Sequence, residues 1–325
     1  MVNQLREGRR KRNNLHICKC FLNGCAFDFV DEYMTIKNSV GSLSLLFFGL
    51  MCCSIFNSCA FKSVYRSKDI TYLLADNIAS KPAQTLNVFA PKKSADLKNV
   101  LIFVYGGSWN SGKKELYSFF GNRWARKDVV TVIVDYPKSP KAGYDEMAID
   151  IAKAVKWVKE NIKNYGGNPD KIFISGHSAG GHLAALVAIK KEYFERVGIA
   201  NPLKGIILID AAGLDMYGYL KGENFEPGNS YLNTFSNDPK VWKEASPMYF
   251  LHTKMPPMLI YRGSKTYPSI EESNEKFVTA LKVFVPQPNY TILSGKKHVP
   301  MITQFFNTGN DRYKEMKALM KGSKY

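Results

Sequence analysis

A chain of 325 residues with 45% hydrophobic side chains can bury one large core or two small ones. Its formal net charge of +17 would suit an anionic partner, but the basic residues after position 62 are scattered and no aromatic-rich binding motif accompanies them, so nucleic acid is excluded as an expected partner. The six cysteines, Cys18, Cys20, Cys25, Cys52, Cys53 and Cys59, all precede residue 60 and match no zinc spacing, so no metal is expected and the cysteine-free remainder suits an oxidising compartment.

Residues 1–33 are basic, contain Arg9-Arg10-Lys11-Arg12 and show no sustained periodicity; they read as a solvated leader, or as upstream sequence if the natural start is Met34. Residues 34–59 place Lys37 before an apolar run from Leu43 to Phe56. That run has the length of a signal-peptide core and is short for a membrane span. Phe56-Asn57-Ser58-Cys59 resembles a bacterial lipobox, which implies lipidation of Cys59 and an exported protein anchored in the cell envelope, at the periplasm or outer membrane.

Beyond residue 62 the pattern alternates. Leu86–Phe89 alternates apolar and polar residues before Pro91, as an edge strand does. Residues 99–105 (NVLIFVY) and 129–135 (VVTVIVD) are continuous apolar runs, predicting strands buried on two faces. Met147, Ile151, Val155, Val158 and Ile162 form a helical stripe over 146–162. Strands are predicted at 171–175, 205–210, 257–261 and 290–293, with helices at 183–189 and 272–283. This order predicts an α/β domain over 63–325, with a mostly parallel sheet covered on both faces. Residues 216–247, rich in Tyr, Phe, Asn and Gly, interrupt the alternation as a cap-like insert. Tyr217, Tyr219, Phe225 and Trp242 in it could line a pocket or pack the insert's own core.

Gly176-His177-Ser178-Ala179-Gly180 matches G-x-S-x-G, between a predicted strand and a predicted helix. That context is the strand–turn–helix of a nucleophile elbow, which makes Ser178 the candidate nucleophile. Tyr105-Gly106-Gly107-Ser108-Trp109 ends another buried strand, and paired glycines there can turn backbone N–H groups toward a ligand.

Together with Asn164–Asp170 (NYGGNPD), GHSAGGHL at 176–183, Ala245-Ser246-Pro247 and Pro256-Pro257, these motifs resemble the carboxylesterase branch of the α/β-hydrolases that includes acetyl-xylan and feruloyl esterases and kynurenine formamidase. The resemblance spans about residues 70–310 and implies a serine hydrolase without cofactor or metal. Its substrates would be small or glycan-linked acyl esters, with amides and formamides as the alternative and a non-catalytic binding protein as the alternative of another class. It implies an oxyanion hole from the N–H groups of Gly107, Ser108 and Ala179, with Tyr105 standing where the family loop has histidine. The fold's order of nucleophile, acid and histidine leaves His298 as the general base among five histidines; His177 and His182 flank the nucleophile, His252 precedes a strand and His16 lies in the leader.

The acid is the departure from the pattern. The family's H-G-x-x-D after the penultimate strand reads Arg262-Gly263-Ser264-Lys265-Thr266 here, with threonine in place of aspartate. Asp210, ending strand 205–210, is the first candidate; Glu271 or Glu272 reaching in from the next helix, or no acid at all, are the others. Asp215 resembles a structural aspartate at the start of the cap.

Overall fold

A computed structural model describes residues 63–322 except 77–80, 93–95, 224 and 227. The leader, the apolar run and Cys59 lie outside the described residues. Eight strands form one sheet: β1 (Val64–Leu73), β2 (Gln84–Pro91), β3 (Lys98–Val104), β4 (Val130–Val134), β5 (Gly167–His177), β6 (Leu203–Ile209), β7 (Met258–Gly263) and β8 (Asn289–Leu293). Their spatial order is β1-β2-β4-β3-β5-β6-β7-β8. The pairs β1–β2 and β2–β4 are antiparallel, and every pair from β4–β3 through β7–β8 is parallel.

In β3, Val100 through Val104 are all 0% exposed although successive side chains point to opposite faces. Both faces are therefore covered, which is why this run is continuously apolar rather than alternating. The cover comes from helices α1 (Ser118–Ala125), α2 (Tyr144–Asn161) and α3 (Ala179–Ile189); further short helices, the first of them α4 (Glu192–Arg196), follow in the C-terminal half. Met147, Ile151, Val155 and Val158 of the predicted stripe form the buried face of α2, while Ile162, also buried, lies just past its end as the C-cap. Helix α3 is buried along its whole length, which its small residues allow.

The expectation of an edge strand at Leu86–Phe89 is corrected: β2 lies between β1 and β4, and β1 is the edge. The alternation misled because Asn87, its polar member, is itself buried. Its Oδ1 accepts the N–H of Asp69 at 2.8 Å, where β1 bulges between Ser67 and Ile70. The side chain thus satisfies a backbone donor that the bulge leaves unpaired.

Candidate active site

The elbow follows from two close approaches. A Cβ on Gly176 would lie 2.2 Å from the Gly180 carbonyl oxygen, and one on Gly180 would lie 2.1 Å from that of Val104. Only glycine lets β5 turn this sharply into α3. Ser178, between them, has φ 56° and ψ −128°, a strained conformation for a residue with a side chain. Asp210 (φ 48°), Ser108 (φ 49°) and Trp109 (φ 60°) share that strain, so four of the seven non-glycine residues with positive φ among the described residues gather here. The surrounding hydrogen bonds hold them: Ser178 N–H donates to Ile209 O at 3.2 Å, and Asp210 N–H to Tyr261 O at 2.7 Å.

Neighbouring parallel strands end on the same edge of the sheet, and this places Asp210 beside the nucleophile turn. His298, the first residue of α9 (His298–Thr303), lies between them. Its Nε2 is 2.9 Å from Ser178 Oγ and its Nδ1 is 2.6 Å from Asp210 Oδ2. A carboxylate only accepts, so Nδ1 carries the proton and Nε2 is free to accept from the serine. Asp210 is completely buried and receives two further donors, Gly263 N–H on Oδ1 at 2.8 Å and the Thr266 hydroxyl on Oδ2 at 2.5 Å. The threonine found where a family aspartate was expected therefore binds the carboxylate that sits one strand earlier.

The other candidate acids are engaged elsewhere. Glu271 pairs with Arg262 at 2.8 Å and Glu272 with Lys276 at 2.7 Å, so neither reaches His298. Arg262, itself buried, also holds Glu275 and the Tyr290 hydroxyl, tying α8 (Pro268–Leu281) to the end of the sheet. Asp215 accepts the Gly218 N–H at the start of α5 (Met216–Gly222) and lies 3.5 Å from Lys276, a structural role. His252 bonds the Ile189 carbonyl at the end of α3.

The loop Gly106–Trp109, the expected oxyanion loop, is held by hydrogen bonds of its own. The Gly107 carbonyl accepts Asn110 N–H, Ser111 N–H and Ser111 Oγ–H at 2.8–3.1 Å. In a trans peptide the N–H points opposite the C=O, so these three donors turn the Ser108 N–H the other way. Gly107 and Ser108 line the same cavity as Ser178 and His298, and Ala179 is the first residue of α3, where N–H groups have no intrahelical partner. Tyr105, in place of the family histidine, is buried; its hydroxyl donates to Asp135 and accepts from Lys138 Nζ, while its carbonyl accepts from Tyr136. Lys114 completes this cluster with an ion pair to Asp135 at 2.9 Å.

The family model BD-FAE matches residues 86–276, more than half of the chain. The chain belongs to the BD-FAE family. Among curated relatives, the isoprenylcysteine alpha-carbonyl methylesterase ICME of Arabidopsis thaliana is 27% identical over 246 residues, covering 69% of this chain and 56% of that protein. Esterase LipQ of Mycobacterium tuberculosis is 33% identical over 197 residues, covering 56% of this chain and 45% of that one. The chain spans about half the length of these relatives. A solved structure of a truncated carbohydrate esterase from gut microbiota superposes with a TM-score of 0.67 at 17% identity, covering 81% of this chain and 99% of that one. The fold is thus that of the α/β-hydrolases.

Two links in this BD-FAE domain were not read from the sequence. Trp109 Nε1–H donates to His182 Nδ1 at 3.1 Å, and His182 Nε2–H donates to the Ala245 carbonyl at 2.6 Å. One buried ring thereby joins the Gly106–Trp109 loop, α3 and Ala245-Ser246-Pro247. The signal was present in the two motifs Gly-Gly-Ser-Trp and Gly-Gly-His, but their contact is tertiary. The second link is His177, whose Nε2 lies 3.2 Å from the His298 carbonyl.

Burial pushes both rings down, His177 to about 3 and His182 to about 4. An unfolded histidine titrates near about 6.5. Below that pH the unfolded chain takes up protons that the folded rings refuse, so their contribution is complete above it and is lost as pH falls toward the folded values. At about pH 5 the loss is about 2 kcal/mol for each ring. The melting temperature is expected to fall by several degrees between about pH 7 and pH 5, with a shallower fall in His182→Gln. Thermal unfolding across that range checks this, and parallel slopes for the two proteins would contradict it.

The cavity around Ser178 and His298 measures about 590 Å³ and is walled by Tyr117, Tyr219, Tyr231 and Tyr267. The insert contains α5, α6 (Ser230–Phe235) and α7 (Pro239–Glu244). Of its four aromatics singled out above, Tyr219 lines this cavity. Phe225 and Trp242 line a separate surface hollow, and Tyr217 packs on Tyr249.

Proposed function

We propose that this protein is a serine carboxylesterase that acts by acylation and deacylation. The observation that carries the reading is the unbroken hydrogen-bond chain from Ser178 through His298 to Asp210. As Ser178 Oγ bonds to the acyl carbon, its proton passes to His298 Nε2, and the imidazolium is stabilised by the Asp210 carboxylate. The proton then goes to the departing alkoxide, the C–O bond of the ester breaks, and a water repeats the sequence to release the acid. The carbonyl oxygen, negative in each tetrahedral intermediate, is received by the N–H groups of Gly107, Ser108 and Ala179 at the N-terminus of α3. Rapid labelling of Ser178 by a fluorophosphonate tests this; an unlabelled, folded protein would favour a binding module on the same scaffold.

Small acyl esters, including glycan-linked ones, fit best. Tyrosine rings offer apolar faces with polar tips, a lining suited to stacking on a sugar or a compact acyl group. Tyr219→Ala is expected to change the ratio of rates between small and carbohydrate-linked acetyl esters about tenfold. A change in melting temperature alone would make Tyr219 a packing residue.

The cellular setting is part of the proposal. Cys59, after the Leu43–Phe56 run, is taken as a lipidated N-terminus that anchors the enzyme to the cell envelope. Mass spectrometry after expression in a bacterial host is expected to find a diacylglyceryl-modified cysteine there. A soluble product that retains residues upstream of Cys59 would overturn it.

A further inference from the structure

His298 reaches the site on a loop with little support of its own. Between the end of β8 and α9 the chain runs Ser294-Gly295-Lys296-Lys297, largely exposed, with Gly295 at φ 71°. The ties of this loop run mainly to its neighbour after β7: Gly295 N–H to Ser264 Oγ at 2.8 Å and Lys265 N–H to Lys296 O at 2.9 Å. That neighbouring segment, 264–267, is itself half-exposed or exposed. Against this, a serine hydrolase needs its imidazole held to a fraction of an ångström.

His177, the residue before the nucleophile, supplies a different kind of tie. It ends β5, is 5% exposed, and faces the catalytic cavity. Its Nε2 lies 3.2 Å from the main-chain carbonyl of His298, and its ring stacks on the His298 ring with centroids 4.6 Å apart and planes 28° from parallel. The carbonyl only accepts, so Nε2 carries the proton and Nδ1 is bare. Nδ1 is buried without a hydrogen-bond partner. A buried polar ring with one nitrogen unsatisfied is an unfavourable way to fill a core position, so the bond and stack made by the rest of the ring are where its use lies.

We propose that His177 is a positioning residue: it latches the His298 backbone to the nucleophile strand and backs the His298 ring, fixing the base against Ser178. The inference rests on the serine-hydrolase reading above. The groups that act on His177 are His298 and Asp210. Because burial keeps His177 neutral, it stacks on the transient His298 imidazolium without adding a second positive charge. The same ring is the x of G-x-S-x-G, so one side chain couples the elbow to the base loop across 121 residues of sequence.

The test compares His177→Leu, which removes donor and ring, His177→Phe, which keeps a stackable ring without the donor, and His177→Gln, which keeps an N–H donor. All three are made in the full chain, with folding checked by circular dichroism. For a p-nitrophenyl acetate panel the Leu and Phe variants are expected to lose at least tenfold in kcat with KM within about threefold, and Gln to recover most of the loss. Fluorophosphonate labelling rates at Ser178 should follow the same order. Should Phe fail to fold, Leu against Gln decides the matter. Wild-type kcat and labelling in Leu with only a lower melting temperature, or equal losses in Leu and Gln, would overturn the latch and leave a packing role. If the unsubstituted protein neither turns over esters nor labels at Ser178, it is the serine-hydrolase reading that fails. Rapid labelling of both the unsubstituted protein and the Leu variant sinks the latch alone.

Discussion

Ser178→Ala is expected to reduce hydrolysis of acetyl and butyryl p-nitrophenyl esters to background while leaving the fold intact. The size of the effect follows from the chemistry. Without Oγ no acyl-enzyme can form, and loss of a serine nucleophile in a coupled triad costs on the order of 10⁶-fold in kcat. The structural cost is small by comparison. The hydroxyl's bond is to His298, at 2.9 Å, and the strained backbone at φ 56° is held by the Ser178 N–H and carbonyl, which alanine retains. The Ser178 carbonyl accepts from Gly181, His182 and Ala212, so the turn remains tied to both α3 and the segment after β6. Melting temperature should therefore move by no more than a few degrees, and fluorophosphonate labelling at this position should vanish. A variant that keeps turnover within tenfold of the parent would remove Ser178 from the mechanism.

The order of strands and helices was legible because buried parallel strands leave continuous apolar runs and α2 leaves a helical stripe. Strand β1 left no such trace. It is the sheet edge, its residues Tyr65, Arg66, Lys68 and Asp69 face solvent, and its bulge breaks the period-two pattern. With β1 unread, β2 looked like the edge. Local motif and chain order single out Ser178 and His298, and the structure brings the two side chains within 2.9 Å. The acid could not be decided, because the choice between Asp210, Glu271 and Glu272 depends on Arg262 and Lys276 having already claimed the two glutamates. Nor does sequence distinguish a threonine that replaces an acid from one that donates to an acid elsewhere. Tyr219 and Trp242 make the same point for the insert: equal aromatic character, one on the catalytic cavity and one on a surface hollow. Side-chain partners separated by many residues, such as Trp109 with His182 and His177 with His298, have no local signature at all.

Asp210→Asn is expected to lower kcat by about 10⁴-fold, the scale on which a wrong imidazole tautomer acts in serine proteases. The surroundings of Asp210 make the asparagine unusually ill-suited. Three donors converge on the carboxylate: Gly263 N–H on Oδ1, and both the Thr266 hydroxyl and His298 Nδ1–H on Oδ2. An amide has one acceptor oxygen and one NH₂ group. If its oxygen faces His298, the NH₂ is driven against the Gly263 N–H, donor against donor in a fully buried site. If it flips, the NH₂ faces His298 Nδ1, which must then accept; the ring proton moves to Nε2, and Ser178 loses its base. The threonine hydroxyl can rotate to accommodate either arrangement, whereas the backbone N–H of Gly263 cannot, so the flipped orientation is favoured and catalysis bears the larger loss. Glu271→Gln and Glu272→Gln should each stay within a few-fold of the parent, because their partners are Arg262 and Lys276 rather than His298. Thr266→Val should fall between, at about tenfold, since it removes one neutral donor and leaves the charge. Steady-state kinetics on the four variants check the ranking. Turnover retained within a few-fold in Asp210→Asn, together with its loss in either glutamine variant, would move the acid to the segment after β7.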